Sequence, residues 1–338
     1  MDGIGVGNIE DCRFHKLMRR LSEVGIISVV ILNFNGKGYL DNCLSSMRSQ
    51  TLKSYEVIVV DNGSTDGSVE YLETHYPWVQ VIKNRTNLGF AGGINSGIRQ
   101  AKGEYILTLN NDTQADNRFL ECLVGPMKSD ASIGICAPKM LFSDGRINSV
   151  GTCISRSGAA WDRGLFQADN GQYDAPEEVF GACGGAALYR KKMLEEIGLF
   201  DEDFFLYFED VDLALRGRLA GWRCLYVPDA KVNHVFGGTT GFGSELSVYY
   251  GNRNFLWYVI KDFPVKLLVK SLPWIIGRNL GVVLYYARMG EGRLILKSKL
   301  DSIKGLPKML RKRNQVERKI SENEIKSFIQ PWAKIPRP

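Results

Sequence analysis

Four short stretches hold the residues able to do chemistry. "YILTLNNDT" (105–113) ends an apolar run on Asn110, Asn111 and Asp112. "YFEDVDLALR" (207–216) crowds Glu209, Asp210 and Asp212 together, and "KVNHVFGGTTG" (231–241) sets His234, one of three histidines, before a glycine-rich loop. "GACGGAALYR" (181–190) carries Gly184 and Gly185. A carboxylate at a strand tip suits two tasks. It holds a hard cation such as Mg2+ or Mn2+ through oxygen, or it caps the next helix. Asp112 fits both. In the acidic stretch, like charges close together raise the pKa of one member, which suits a general base; a helix start stabilises the same acids. Asp210 is the candidate base, and Asp212, which runs on into a helical pattern, serves structure. His234 fits a metal ligand or a structural histidine. Gly184 and Gly185 admit a close backbone approach to a ligand, or form a tight turn before a strand.

The elements around these residues follow one rhythm. "IISVVIL" (26–32), "YEVIVVD" (55–61), "VQVIK" (79–83) and "EYILTLN" (104–110) read as strands, with amphipathic helices between them. Near-continuous apolar runs mark strands buried on both faces. The alternation predicts an α/β fold with a doubly wound, mostly parallel central sheet flanked by helices. Such sheets bind ligands outside the carboxyl ends of their strands. Four polar clusters fall there: Asn33 with Asn35, Asp61 with Asn62, Asn87, and Asn110 to Asp112. Turns favour Asn, Asp and Gly anyway, but four clusters in succession at one edge argue for a ligand. Further on, the pattern predicts a helix over about 117–128, a strand near 133–138, a helix from 209 capped by Gly221, and a strand over 223–234. The first strand is followed by "NFNGKGYL", neither a dinucleotide fingerprint nor a Walker A loop. Phosphates at this edge must therefore be neutralised without a glycine cradle, and a carboxylate-held metal is one means.

The bulk properties narrow the class. A chain of 338 residues with 44% apolar and 24% charged residues has material for one large or two modest soluble domains. Seven cysteines without a C-x-x-C pair read as reduced thiols, and three histidines make a His-rich zinc site a poor expectation. The N-terminus lacks the apolar core of a signal peptide, and no run of about 18 uncharged apolar residues predicts a spanning helix. Residues 261–338 carry 18 Lys/Arg against 6 Asp/Glu, while the whole chain is only +6. A basic tail on an acidic body calls for a polyanionic partner. Nucleic acid is disfavoured because no binding motif for it is evident. Residues 263–290, with Lys266, Lys270, Arg278 and Arg288, read as too charged to span a bilayer. They suit a helix in the interface of an anionic membrane surface, with Trp257 and Trp274 near the headgroups, or a helical subdomain packed on the core.

In order, "ISVVILNFNG", "VIVVDNGSTDGS", "NLGFAGGINSGI", "GEYILTLNNDT", "GACGGAALYR" and "FFLYFEDVDLALRGRLAGW" resemble the inverting glycosyltransferases of family 2 with the GT-A fold, in particular their rhamnosyltransferase-like branch. The resemblance covers about Ile26 to Pro264. It implies a catalytic domain over 25–262, divided into a nucleotide-binding half (25–114) and an acceptor half (115–262). An N-terminal extension (1–24) would precede it and a basic helical region (263–338) would follow. It also implies a nucleotide-sugar donor, most simply dTDP-L-rhamnose and otherwise a UDP-hexose, a divalent metal, and a glycan or lipid-linked glycan acceptor in cell-surface polysaccharide synthesis. The enzyme would be cytoplasmic and peripheral on the inner face of the membrane. By the same matching, Phe34 and Asp61 contact base and ribose, and Asn87, Asn95 and Asn111 line the donor pocket. Asp112 holds the metal, with His234 completing its site. Asp210 takes the acceptor proton, and Gly184, Gly185 and Glu209 border the acceptor. The sequence departs from the family's D-x-D motif in having Asn110 first, so the donor diphosphate would supply much of the metal's coordination. The rivals are an inactive, nucleotide-sugar-binding or scaffolding relative, a processive synthase, which needs spanning helices and a Q-x-x-R-W motif, and a nucleotidylyltransferase, which needs a glycine-rich start.

Overall fold

In a computed structural model, residues 27–235 and 243–331 are described; the extension expected over 1–24 lies outside them. Strand β1 (Ile27–Asn33) sets the pattern. Side chains alternate faces along a strand. Val29 and Ile31 therefore pack on one side with Leu40 and Leu44 of helix α1 (Leu40–Arg48). Val30 packs on the other with Ala91 and Ile94. The rhythm continues through β2 (Tyr55–Asp61), α2 (Ser68–His75), β3 (Gln80–Lys83), α3 (Gly89–Ile98) and β4 (Tyr105–Asn110). The order β3-β2-β1-β4 is parallel throughout, so all four carboxyl ends lie on one edge.

The second half adds β5 (Thr113–Ala115), α4 (Phe119–Ser129), β6 (Ile133–Phe142), and the short strands β7 (Ile147–Ser149), β8 (Thr152–Ser155), β9 (Ala160–Asp162) and β10 (Glu177–Glu178). Then come β11 (Ala186–Arg190), α5 (Lys191–Ile197), α6 (Glu209–Leu219) and β12 (Arg223–His234). Strand β11 inserts antiparallel between β4 and β6, and β12 runs parallel to β6. The antiparallel insertion sets Gly184 and Gly185, at the start of β11, beside the end of β4. Side-chain periodicity cannot reveal strand direction. The strand expected over 133–138 extends to Phe142, which pairs with His234.

Helices α7 (Glu245–Asp262), α8 (Val265–Arg288), α9 (Gly292–Arg313) and α10 (Glu322–Ser327) follow, with a last strand β13 (Ile329–Gln330). Helix α9 packs on α7, where Trp257 Nε1 donates to Ser302 O at 2.8 Å. Strand β13 pairs with β8. The described part of the basic region is thus packed on the sheet domain. One expectation needs correction: α8, read as too charged, is long and apolar enough to cross a membrane by length and composition. Its Arg278 lies over the Phe255 ring, 4.0 Å from the centroid, which hides one of the charges that the sequence counts.

A buried ionic cluster ties α6 to α7. Lys261 Nζ sits 2.7 Å from Asp201 Oδ2 and 2.5 Å from Asp212 Oδ1, and Arg216 pairs with Asp212 at 2.8 Å. Asp212 has the structural role expected of it. Among the described residues all six cysteines are free thiols.

Candidate functional site

Hydrogen bonds lock the strand exits together. Asn111 Nδ2 donates to Asn33 Oδ1 (2.8 Å), and Asn33 Nδ2 donates to Asp61 Oδ1 (3.1 Å). Asp61 Oδ2 accepts from the Ser64 amide (3.0 Å). All three side chains belong to buried residues, so each unmade bond would carry a desolvation cost. This chain holds the ends of β1, β2 and β4 in one register. Gly36 is required beside it, because a Cβ there would stand 2.1 Å from Asn111 Nδ2. Asn62 Nδ2 donates to Asn87 Oδ1 (2.9 Å), which also accepts from the Gly89 amide (2.8 Å), fixing the start of α3. Phe34 is half-buried at the β1 exit. Asn95 is not brought into this cluster. Its amide bonds Phe200 O (2.8 Å) and Glu202 Oε1 (3.0 Å), and it lines a separate charged cavity with Arg99, Asp201 and Lys261.

Asp112 and His234 meet where β5 pairs with β12. Thr113 is in register with His234, and the Val235 amide donates to Asp112 O at 2.9 Å. Asp112 Oδ1 is buried, accepts no hydrogen bond and lies 3.2 Å from His234 Nε2. The ring's Nδ1 lies 2.9 Å from Asn148 Oδ1, a contact that fixes the orientation of the ring and aims Nε2 at Asp112. Asn110 Nδ2 reaches the same Nε2 at 3.3 Å. A carboxylate oxygen and an imidazole nitrogen 3.2 Å apart are the kinds of donor that a divalent cation takes. These two residues therefore fit a divalent metal. Among the described residues no third His, Cys, Asp or Glu joins them.

The acidic pair stands across the two glycines. The Gly184 amide donates to Asp210 Oδ2 (2.9 Å), and the Val211 amide donates to Oδ1 (2.8 Å). Gly185 O accepts from the Asn110 amide (2.8 Å), so one dipeptide links Asp210 to the tip of β4. A Cβ on Gly184 would lie 3.2 Å from the Phe90 ring. Burial raises the Asp210 pKa, and the two amides work against that rise. Glu209 is buried with Oε2 unpartnered, and burial followed by the charge of Asp210 pushes it well above the usual carboxylate range. Environments that separate two acids in this way assign their roles. Glu209 is pushed up the further of the two, and Asp210, with two amide donors, is the better placed to carry charge.

The backbone before this pair is strained. Phe205, Tyr207 and Phe208 have φ of 66°, 66° and 71°, a region that costs non-glycine residues about 1–3 kcal/mol each. Asn254 on α7 holds them, its Nδ2 reaching the carbonyls of Phe204, Leu206 and Tyr207 at 2.7–2.8 Å. Asn254, Asn148 and Asp162 were not legible as site residues, because each works through a fold contact distant in sequence. Asp162 ends β9 with Oδ1 buried and unpartnered. Burial, and then the charge of Asp210, pushes its pKa up to about 6. A carboxyl raised in this way destabilises the fold once ionised. The penalty is absent below the unfolded pKa near 4, grows to about pH 6 and stays constant above. Asp162→Asn is therefore expected to stabilise the protein by roughly 1–3 kcal/mol at pH 8 and not at pH 4. Melting curves at the two pH values test this; an effect independent of pH would show that charge is not the cause.

Comparison with known proteins places the family and the fold. The family model described as glycosyl transferase family 2 matches residues 28–198. An N-acetylglucosaminyl-diphospho-decaprenol L-rhamnosyltransferase of Mycobacterium tuberculosis is 28% identical over 239 residues, covering 64% of this chain and 78% of that protein. A cholesterol galactosyltransferase of Borreliella burgdorferi is 32% identical over 119 residues, 34% of this chain and 33% of its own. Among solved structures, GalNAc-T7 with UDP, GalNAc and Mn2+ superposes with a TM-score of 0.57 at 20% identity, over 70% of this chain and 48% of its own. Residues 1–349 of S. aureus TarS give 0.52 at 15% identity, over 86% and 91%. The fold is GT-A, and the chain belongs to glycosyl transferase family 2.

Proposed function

We propose that this glycosyltransferase moves a sugar from a nucleoside-diphosphate donor to a hydroxyl of a glycan or lipid-linked glycan, with inversion, in cell-surface polysaccharide synthesis. The first candidate donor is dTDP-L-rhamnose, with UDP-hexoses next. The observation carrying the reading is the placement of two unlike sites on either side of Gly184–Gly185, the Asp112–His234 pair and the Asp210 carboxylate. The name of the mycobacterial relative supports rhamnose and a lipid-diphosphate acceptor. The reading includes work at the cytoplasmic face of the membrane, where such an acceptor would be met.

Asp112 and His234 would hold the divalent metal, which supplies Lewis-acid stabilisation of the departing diphosphate. The rest is done by the chain. The Asn111–Asn33–Asp61 chain fixes the shape of the edge that receives the nucleotide. Asp210, oriented by two amides, accepts the proton of the acceptor hydroxyl as that oxygen attacks the anomeric carbon. Attack on the face opposite the diphosphate inverts the centre.

A thermal-shift screen tests the donor and the metal together. A ligand that binds the native state raises Tm by mass action. One nucleotide sugar among dTDP-rhamnose, UDP-glucose, UDP-galactose, UDP-N-acetylglucosamine and GDP-mannose is expected to raise Tm, and more so with Mn2+. Asp112→Asn is expected to remove the Mn2+-dependent part of that shift while leaving the unliganded Tm within a few degrees. An unchanged metal response in the variant would strip Asp112 of its role. Absence of any shift would overturn the donor reading.

A further inference from the structure

We propose that the α8–α9 hairpin docks the protein flat on an anionic lipid surface, through an apolar face bordered by Lys and Arg. This deepens the membrane-facing part of the functional reading and is tested without any sugar. On α8, Val265, Val269, Leu272, Ile276, Leu280 and Leu284 are all exposed, at 41–63% of their surface. At about 100° per residue their spacing keeps them on one side of the helix. Leu267, Ser271 and Ile275, on the opposite side, are buried. Helix α9 repeats the design, with Leu296, Leu300, Ile303 and Leu310 exposed at 52–58% and Ile295, Ser298, Ser302 and Met309 buried. Lys299 Nζ bonds Asn279 Oδ1 (2.6 Å), ten residues either side of Met289, so the two helices form an antiparallel pair. Their inner sides face the protein and both stripes face outward.

The borders of the stripes identify the partner. Lys266, Lys270 and Arg288 lie about 100–140° round the helix from Val265. Arg293, Lys297, Lys304 and Arg311 lie about 60–100° from Leu296. All seven are exposed. An apolar stripe with a basic edge is the form of a helix lying in a bilayer interface, and each Lys or Arg near an anionic surface adds about 1 kcal/mol. A second copy of the chain would bring a like-charged edge against this one. Spanning by α8 is opposed by its inner contacts. Arg278 lies over Phe255 of α7 at 4.0 Å, and Arg156 lies over Trp274 at 3.9 Å. Insertion would strip both. The orientation is therefore in-plane, with the packed side of the hairpin toward the sheet domain.

Flotation of the full chain with vesicles tests this. The protein is expected to float with mixed phosphatidylglycerol and phosphatidylcholine vesicles at low salt, weakly with phosphatidylcholine alone, and to be released by high salt. Ile276→Glu/Leu280→Glu/Leu300→Glu/Ile303→Glu should lower binding at least about tenfold. Lys266→Gln/Lys270→Gln/Arg288→Gln/Lys304→Gln should remove the preference for anionic lipid. Both variants change exposed positions, and their melting curves and nucleotide-sugar thermal shifts should match wild type. That separates loss of docking from loss of the donor site. No flotation, or flotation unaffected by both variants, overturns the proposal. So does a dimer in light scattering that the glutamate variant dissociates, since a second copy would then cover the face. Binding that survives high salt and alkaline carbonate overturns it in favour of an inserted helix.

Discussion

Asp210→Asn is expected to lower kcat for sugar transfer by about 10²–10⁴-fold, the usual contribution of a general base, with the donor-induced thermal shift unchanged. The substitution keeps the size of the side chain and an oxygen for one of the Gly184 and Val211 amides, while its Nδ2 cannot accept from the other, so the unchanged donor-induced shift is the control that marks the loss as chemical. Glu209→Gln is the contrast. It is neutral at a position where burial favours the neutral form, and it is expected to keep most of the activity. The pH profile carries the sign. Burial raises the Asp210 pKa above that of an ordinary aspartate, and the base works only when ionised. Wild-type kcat should therefore fall as pH drops through that raised pKa, and residual turnover in the asparagine variant should lack this acid limb. Full activity of Asp210→Asn, or loss in Glu209→Gln instead, would exchange the roles of the two acids.

Lys261→Met is expected to destabilise the protein by about 3–5 kcal/mol, a fall in Tm of roughly 10 °C. Lys261 is buried between Asp201, which is 6% exposed, and Asp212, which is fully buried. Burial alone would raise the Asp201 pKa, yet Lys261 and Lys312 overcome it and hold that carboxyl far below its usual range. Asp262 lies in the same cluster with both oxygens unpartnered, and burial and then the charge of Asp212 push its pKa well up. Removing the lysine leaves this acidic group short of its central cation, and methionine fills the space without restoring the charge. Urea unfolding measures the loss, and a change below about 1 kcal/mol would mean that Arg216 and Lys312 suffice. The Asp201 contribution is present above its unfolded pKa near 4 and is lost as pH falls below it. The wild-type protein should therefore lose part of its advantage over the variant in acid.

Much of this molecule is determined locally and can be read in one dimension. Runs such as "ISVVILN" and "YEVIVVD" are apolar on both faces because helices cover both sides of the sheet, so strands, helices and the α/β alternation follow from periodicity. The polar ends of β1, β2 and β4 mark the ligand edge for the same reason, since a parallel sheet brings all its carboxyl ends together. The acids at 209–212 are visible because charge clustering is a local signal. Tertiary structure decided the rest. Strand direction leaves no trace in side-chain periodicity, so nothing in "GACGGAALYR" says that β11 runs antiparallel and carries Gly185 to Asn110. Asn95 sits in a stretch that resembles a donor pocket, yet its amide is taken by Phe200 and Glu202, more than a hundred residues away. Asp112 and His234 are 122 positions apart and become a pair only through the register of β5 with β12. Asn148 and Asn254 gained their roles in the same way, because an amide side chain has no preferred partner until packing removes water and leaves one specific carbonyl or ring within reach.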